Sequence, residues 1–114
     1  MEMEIRALKT RKNAIVMAHN YQPMAIQALA DVVGDSLELA VRAKEAKADL
    51  IVVCGVRFMA ETAKILNPER KVVIPVPDAG CPLADFLTPE MIREAKERHP
   101  DAAVVVYVNS TAES

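Results

Sequence analysis

The chain has 114 residues, 52% hydrophobic and 26% charged, which predicts one domain with a real core. Fourteen Lys and Arg against sixteen Asp and Glu leave a net charge of −2 and no dominant basic surface, so nucleic acid is excluded as the expected partner. No apolar run approaches the roughly 20 residues of a bilayer span, and the acidic start Met1-Glu2-Met3-Glu4 does not read as a secretory signal. No membrane partner is therefore expected, and the chain reads as cytosolic.

A first helix is predicted over about residues 2–12, followed by an apolar strand at Ala14-Ile15-Val16-Met17-Ala18 and a short helix over about 24–32. Next comes a helix opened by Gly34-Asp35-Ser36-Leu37-Glu38, with Leu37, Ala40, Val41 and Ala48 as its inner stripe. Leu50-Ile51-Val52-Val53-Cys54 is a second strand. The helix after it carries Phe58, Thr62, Ala63 and Leu66 inward and stops at Asn67-Pro68. A third strand is predicted at Val72-Val73-Ile74, leading into a Pro-rich connection. Thr88-Pro89-Glu90 then starts a last helix, with Thr as cap and Met91, Ile92 and Ala95 as inner face. Ala103 to Val108 is the fourth expected strand. The strands are continuous apolar runs, as in sheets covered on both faces. The pattern predicts a single three-layer α/β/α domain over residues 1–114, with a four-stranded, mainly parallel sheet and right-handed crossovers.

In open α/β sheets, ligands bind beyond the carboxyl ends of the strands. His19, Asn20 and Tyr21 follow the first strand, Cys54, Gly55 and Phe58 the second, Gly80, Cys81 and Phe86 the third; Tyr107 and Asn109 end the fourth. All four aromatic residues thus fall on one rim, where they either line a binding face or plug the top of a small core. His19 and Tyr21 could hold a carboxylate and shuttle a proton, or serve structural hydrogen bonding. Asp35 with Glu38 resembles a capping box that leaves Ser36 and free N–H groups for an anion, though ordinary capping is the better explanation of this motif standing alone. Cys54 reads as a small buried hydrophobe. Cys81, on a Pro-rich loop at the rim, suits a thiolate ligand or nucleophile, yet alone it cannot make a metal site. His99 lies in a polar segment and reads as surface.

Taken together, Ala18-His19-Asn20-Tyr21-Gln22, Gly34-Asp35-Ser36-Leu37, Cys54 through Pro68, Ala79-Gly80-Cys81 and Tyr107 through Glu113 resemble the quinolinate synthase family. They stand in the family's order and at its spacing across essentially the whole chain, matching the N-terminal third of the family's usual length. The loop after Gln22 departs from the pattern: Pro23 comes one place early and Ala25 stands where Glu is common.

The resemblance implies condensation of iminoaspartate with dihydroxyacetone phosphate to quinolinate, with loss of phosphate and water, in NAD biosynthesis. It also implies three similar domains around a [4Fe-4S] cluster held by one Cys from each, with an open iron position acting as Lewis acid. Carried over to this sequence, Cys81 is a cluster ligand, His19, Ser36, Tyr107 and Asn109 contact substrate, and Tyr21 transfers a proton. The remaining two domains are the expected partners. The chain is accordingly expected to be the N-terminal domain of such an enzyme, as a fragment or a truncated gene product. The competing expectation is a non-catalytic α/β module that binds a small carboxylate or phosphate. A free-standing Cys enzyme lacks a nearby general base in the sequence.

Overall fold

The apolar runs beginning at Ala14 and Leu50 become the two central strands of a four-stranded, all-parallel sheet. A computed structural model describes residues 1–114. In chain order it has α1 (Glu2–Arg11), β1 (Ala14–His19), α2 (Met24–Gln27), β2 (Val32–Gly34) and α3 (Ser36–Glu45). There follow β3 (Leu50–Cys54), α4 (Arg57–Leu66), β4 (Lys71–Val73), α5 (Pro82–Phe86) and α6 (Pro89–Arg98). The strand order is β2-β1-β3-β4. β1 and β3 run in register from Ala14 opposite Leu50 to Ala18 opposite Cys54, and His19 faces Gly34 of β2. Right-handed crossovers on this order put α3 and α4 on one face and α2 on the other. Arg6 and Lys9 tie α1 to the segment after α2, through the carbonyls of Ala28 and Leu29.

The core is built where the β-branched runs meet the helices. Met17, Ile51 and Val53 from the sheet pack with Leu39 and Ala43 of α3 and Ala63 of α4. Asp31 secures the junction of β1 and β2. Its carboxylate accepts the Val16 N–H at 2.8 Å and pairs with Lys9 Nζ at 2.7 Å, so a backbone donor of β1 is satisfied before the ladder with β2 begins. No helix is long and apolar enough to cross a membrane.

The three-layer α/β class stands, while four local expectations are corrected. First, residues 24–32 are not one helix: α2 ends at Gln27, and Val32-Val33-Gly34 form edge strand β2. A β-branched pair bounded by Asp31 and Gly34 is too short to show a period, but pairing with β1 captures it. Second, α3 turns Leu39 and Ala43 inward, leaving Leu37 67% exposed and Val41 outward. Leu39, Ala43 and Ala46 recur at the helical period as well as the expected stripe does, and the small alanines let α3 approach α4 closely.

Third, α6 buries none of its residues, so Met91, Ile92 and Ala95 form no inner face. Fourth, Ala103–Val108 forms no strand; it runs uncovered, with Val105 93% exposed. A strand needs a partner edge, and because α6 does not lie back on the sheet, the residues after it never reach β4. The radius of gyration of 16.1 Å records this projecting arm, since a compact domain of this length has about 13 Å.

Candidate active site

The strand order reverses between β1 and β3, because the chain leaves β1 toward β2 on one side and returns to β3 on the other. At such a switch point the loops diverge and open a crevice beyond the carboxyl ends of the strands. A cavity of about 300 Å³ lies there, walled by His19 at the end of β1 with Tyr21 and Gln22 after it, Ser36 opening α3, and Gly55, Val56, Phe58 and Met59 after β3. Cys81, Leu83 and Asn109 close it. A larger cleft of about 530 Å³ lies along α4 and β4, away from this rim chemistry.

His19 is the last residue of β1 and only 7% exposed. Its Nδ1 accepts the Tyr21 backbone N–H at 3.2 Å, which in the neutral ring assigns the proton to Nε2 as a hydrogen-bond donor. The two rings pack with centroids 4.6 Å apart. Gln27 holds the same turn, its amide donating to the carbonyls of Asn20 and Gln22. The Tyr21 side chain is 90% exposed, standing at the mouth over His19.

Burial pushes the His19 imidazole below its ordinary value of 6.5, with the Asp35 carboxylate pulling the other way. The folded chain therefore binds fewer protons here than the unfolded one. This contribution to stability is complete above the ordinary value and is lost as pH falls through it toward the lowered one. Melting temperatures between pH 7.5 and 5 should fall more steeply for the native sequence than for His19→Gln; parallel curves would show that His19 carries no such linkage.

Asp35 caps α3, accepting the Glu38 N–H at 2.8 Å, so half of the expected capping box is present. Ser36 is left half-buried in the first turn of a ten-residue helix, lining the cavity. Cys81 is the N-cap of α5, with Pro82 at the first turn. Its N–H donates to Asp85 Oδ2 at 3.1 Å and its carbonyl accepts the Asp85 N–H at 2.8 Å. Gly80 permits this closure, because a methyl group there would lie 2.8 Å from the same carboxylate oxygen. Gly55 has a similar duty beside the cavity, where a methyl group would meet Met59 Sδ at 2.8 Å.

Five of the six expected site residues, His19, Tyr21, Ser36, Cys81 and Asn109, thus line one cavity. Tyr107 does not: it faces a separate cleft with Thr62 and Leu66. A tight turn separates it from Asn109, closed by the Ser110 N–H on the Val108 carbonyl and the Ser110 hydroxyl on the Tyr107 carbonyl. Gln22 and Leu83 also belong to the wall and were not expected as site residues, although Gln22 closes the motif Ala18-His19-Asn20-Tyr21-Gln22. Cys54 lines a neighbouring small pocket with Pro75 and Val76, and burial pushes its thiol up, as expected of a packing residue. Cys81 is the one thiol on the cavity, and no three His, Cys, Asp or Glu side chains gather to hold a metal.

The family model described as Quinolinate synthetase A protein matches residues 3–114. The chain is 55% identical over 113 residues to a quinolinate synthase of Aquifex aeolicus, covering 99% of this chain and 35% of that protein. It is 57% identical over 111 residues to one of Methanocaldococcus jannaschii (96% and 36%). With one of Thermococcus kodakarensis it shares 60% over 111 residues (97% and 37%). The chain therefore spans about a third of the length of these curated relatives.

Proposed function

We propose, from the premise that this chain belongs to the Quinolinate synthetase A family, that it is the N-terminal domain of a quinolinate synthase. The reaction is the condensation of iminoaspartate with dihydroxyacetone phosphate to quinolinate, with loss of phosphate and water. The observation that carries this reading is the convergence of His19, Tyr21, Ser36, Cys81 and Asn109, from four separate segments, on one cavity at the switch point. The half-exposed free thiol of Cys81 suits a reducing, cytoplasmic setting.

Each residue has a task that its geometry suits. His19 offers a neutral Nε2–H to a substrate carboxylate oxygen, its other nitrogen being occupied by the Tyr21 N–H. The Ser36 hydroxyl adds a donor at the positive end of α3, where a negative group is favoured. Asn109 contributes an amide from the opposite wall. Tyr107 joins the carboxylate contacts in this reading on the strength of the family motif Tyr107-Val108-Asn109. The Tyr21 phenol gives its proton to a departing oxygen of the dihydroxyacetone phosphate portion. Val56, Phe58 and Met59 supply an apolar wall that limits water around the reacting atoms.

An iron–sulfur cluster requires three or four thiolates, and Cys81 fits as one donor. The others would come from the two further domains of the family plan. When bound, a [4Fe-4S] cluster with an open iron position supplies Lewis acidity for the dehydration.

A protein of the relatives' full length containing this segment, prepared anaerobically, should form quinolinate only when both substrates are present. A fully iron-loaded preparation that binds iminoaspartate yet forms no quinolinate would overturn the proposed reaction. One that binds neither substrate would overturn the site.

A further inference from the structure

We propose that Glu61 is a positioning residue that clamps the Asn109 segment onto α4 and so completes the substrate cavity; this rests on the reading of Asn109 as a substrate contact. Glu61 is on the second turn of α4 and its side chain is 23% exposed. Its Oε2 accepts the backbone N–H of Ala112 at 2.8 Å, across 51 residues of sequence. Its Oε1 accepts Arg57 Nε at 3.0 Å. Arg57 in turn donates its backbone N–H to the Ala79 carbonyl at 2.8 Å, on the loop that ends in Cys81. One turn of α4 therefore grips both walls of the cavity that come from outside the sheet, the Cys81 loop through Arg57 and the Asn109 segment through Glu61.

The clamp matters because little else holds the Asn109 segment. α6 buries nothing and Ala103–Val108 pairs with no strand, so sheet packing does not place Asn109. Beyond the cleft that Tyr107 shares with Thr62 and Leu66, the other hydrogen bond from this segment to the rest of the chain is at the far end, where the Ser114 hydroxyl donates to the Leu87 carbonyl at 2.8 Å. Glu61 lies at the edge of the neighbouring cleft and is absent from the wall of the substrate cavity, so it acts through the backbone it holds. Hydrogen bonds to a charged acceptor are among the stronger in proteins, and breaking one beside solvent reads as about a tenfold change or more in local opening.

The test uses the full-length protein carrying Glu61→Ala, Glu61→Gln or Asn109→Ala, each matched for iron content. Hydrogen exchange at residues 109–112 is measured beside exchange in β1 and β3, together with KM and kcat for the dicarboxylate substrate. Glu61→Ala should speed exchange at Ala112 about tenfold and raise KM by a similar factor, leaving β1, β3 and kcat near native. Glu61→Gln, which keeps a carbonyl acceptor, should restore most of the protection. Three results overturn the proposal: unchanged exchange at Ala112, exchange rising equally in β1 and β3, or lost protection with native KM. A native KM in Asn109→Ala overturns the substrate role of Asn109, and with it the purpose of the clamp, while the exchange data still report whether Glu61 holds the segment.

Discussion

Cys81→Ser, in a full-length protein carrying this segment, is expected to abolish cluster assembly and reduce turnover to background. Cys81 is the only thiol on the cavity, and its backbone is held on both sides by Asp85. A serine keeps that capping geometry and the side-chain volume, so the fold should persist while the soft thiolate donor is lost. Bound iron should drop from about four per protein to a small residue. Cys54→Ser is the matched control: its thiol lines a different pocket and burial holds it protonated, so iron and turnover should stay native. A Cys81→Ser protein that kept its iron and its rate would remove Cys81 from the ligand set.

Tyr21→Phe should lower kcat by about 10²–10⁴-fold, the range of a lost general acid, with KM and iron content close to native. The separation follows from how Tyr21 is used. Its backbone N–H, which orients His19, is untouched by the substitution, and the phenyl ring can keep its packing 4.6 Å from the imidazole. Only the hydroxyl disappears. A native kcat would take Tyr21 out of the mechanism, whereas a rise in KM alone would make it a binding residue.

The rim was legible in the sequence for a physical reason. In a parallel sheet every strand delivers its carboxyl end to the same side, so residues that follow the strands must gather. Recognising where Ala14–Ala18 and Leu50–Cys54 end was therefore enough to bring His19, Tyr21, Gly55 and Phe58 together; the later strand ends and the capping pattern offered Cys81, Asn109 and Ser36, to which the family motifs gave roles. Gln22 and Leu83 were harder to find, since apolar or amide side chains carry no chemical flag and join the wall only through loop path. Tyr107 shows the limit from the other direction: two residues from Asn109 in sequence, it faces another cleft, the chain bending over residues 108–110 where Ser110 bonds back to the Tyr107 and Val108 carbonyls.

The sequence by itself determined the α/β class, the parallel sheet, both central strands and most of the residues that gather at the rim, because these rest on hydrophobic runs and strand ends that act locally. Tertiary structure alone decided which face of α3 is buried, since two stripes of similar period compete and only the close approach to α4 selects Leu39 and Ala43. It also decided that Val32–Gly34 is a strand and Ala103–Val108 is not. Strand formation depends on a partner's unpaired N–H and C=O groups: the weakly patterned Val32–Gly34 lies beside β1, whereas the strongly β-prone Ala103–Val108 is carried away from every edge by α6.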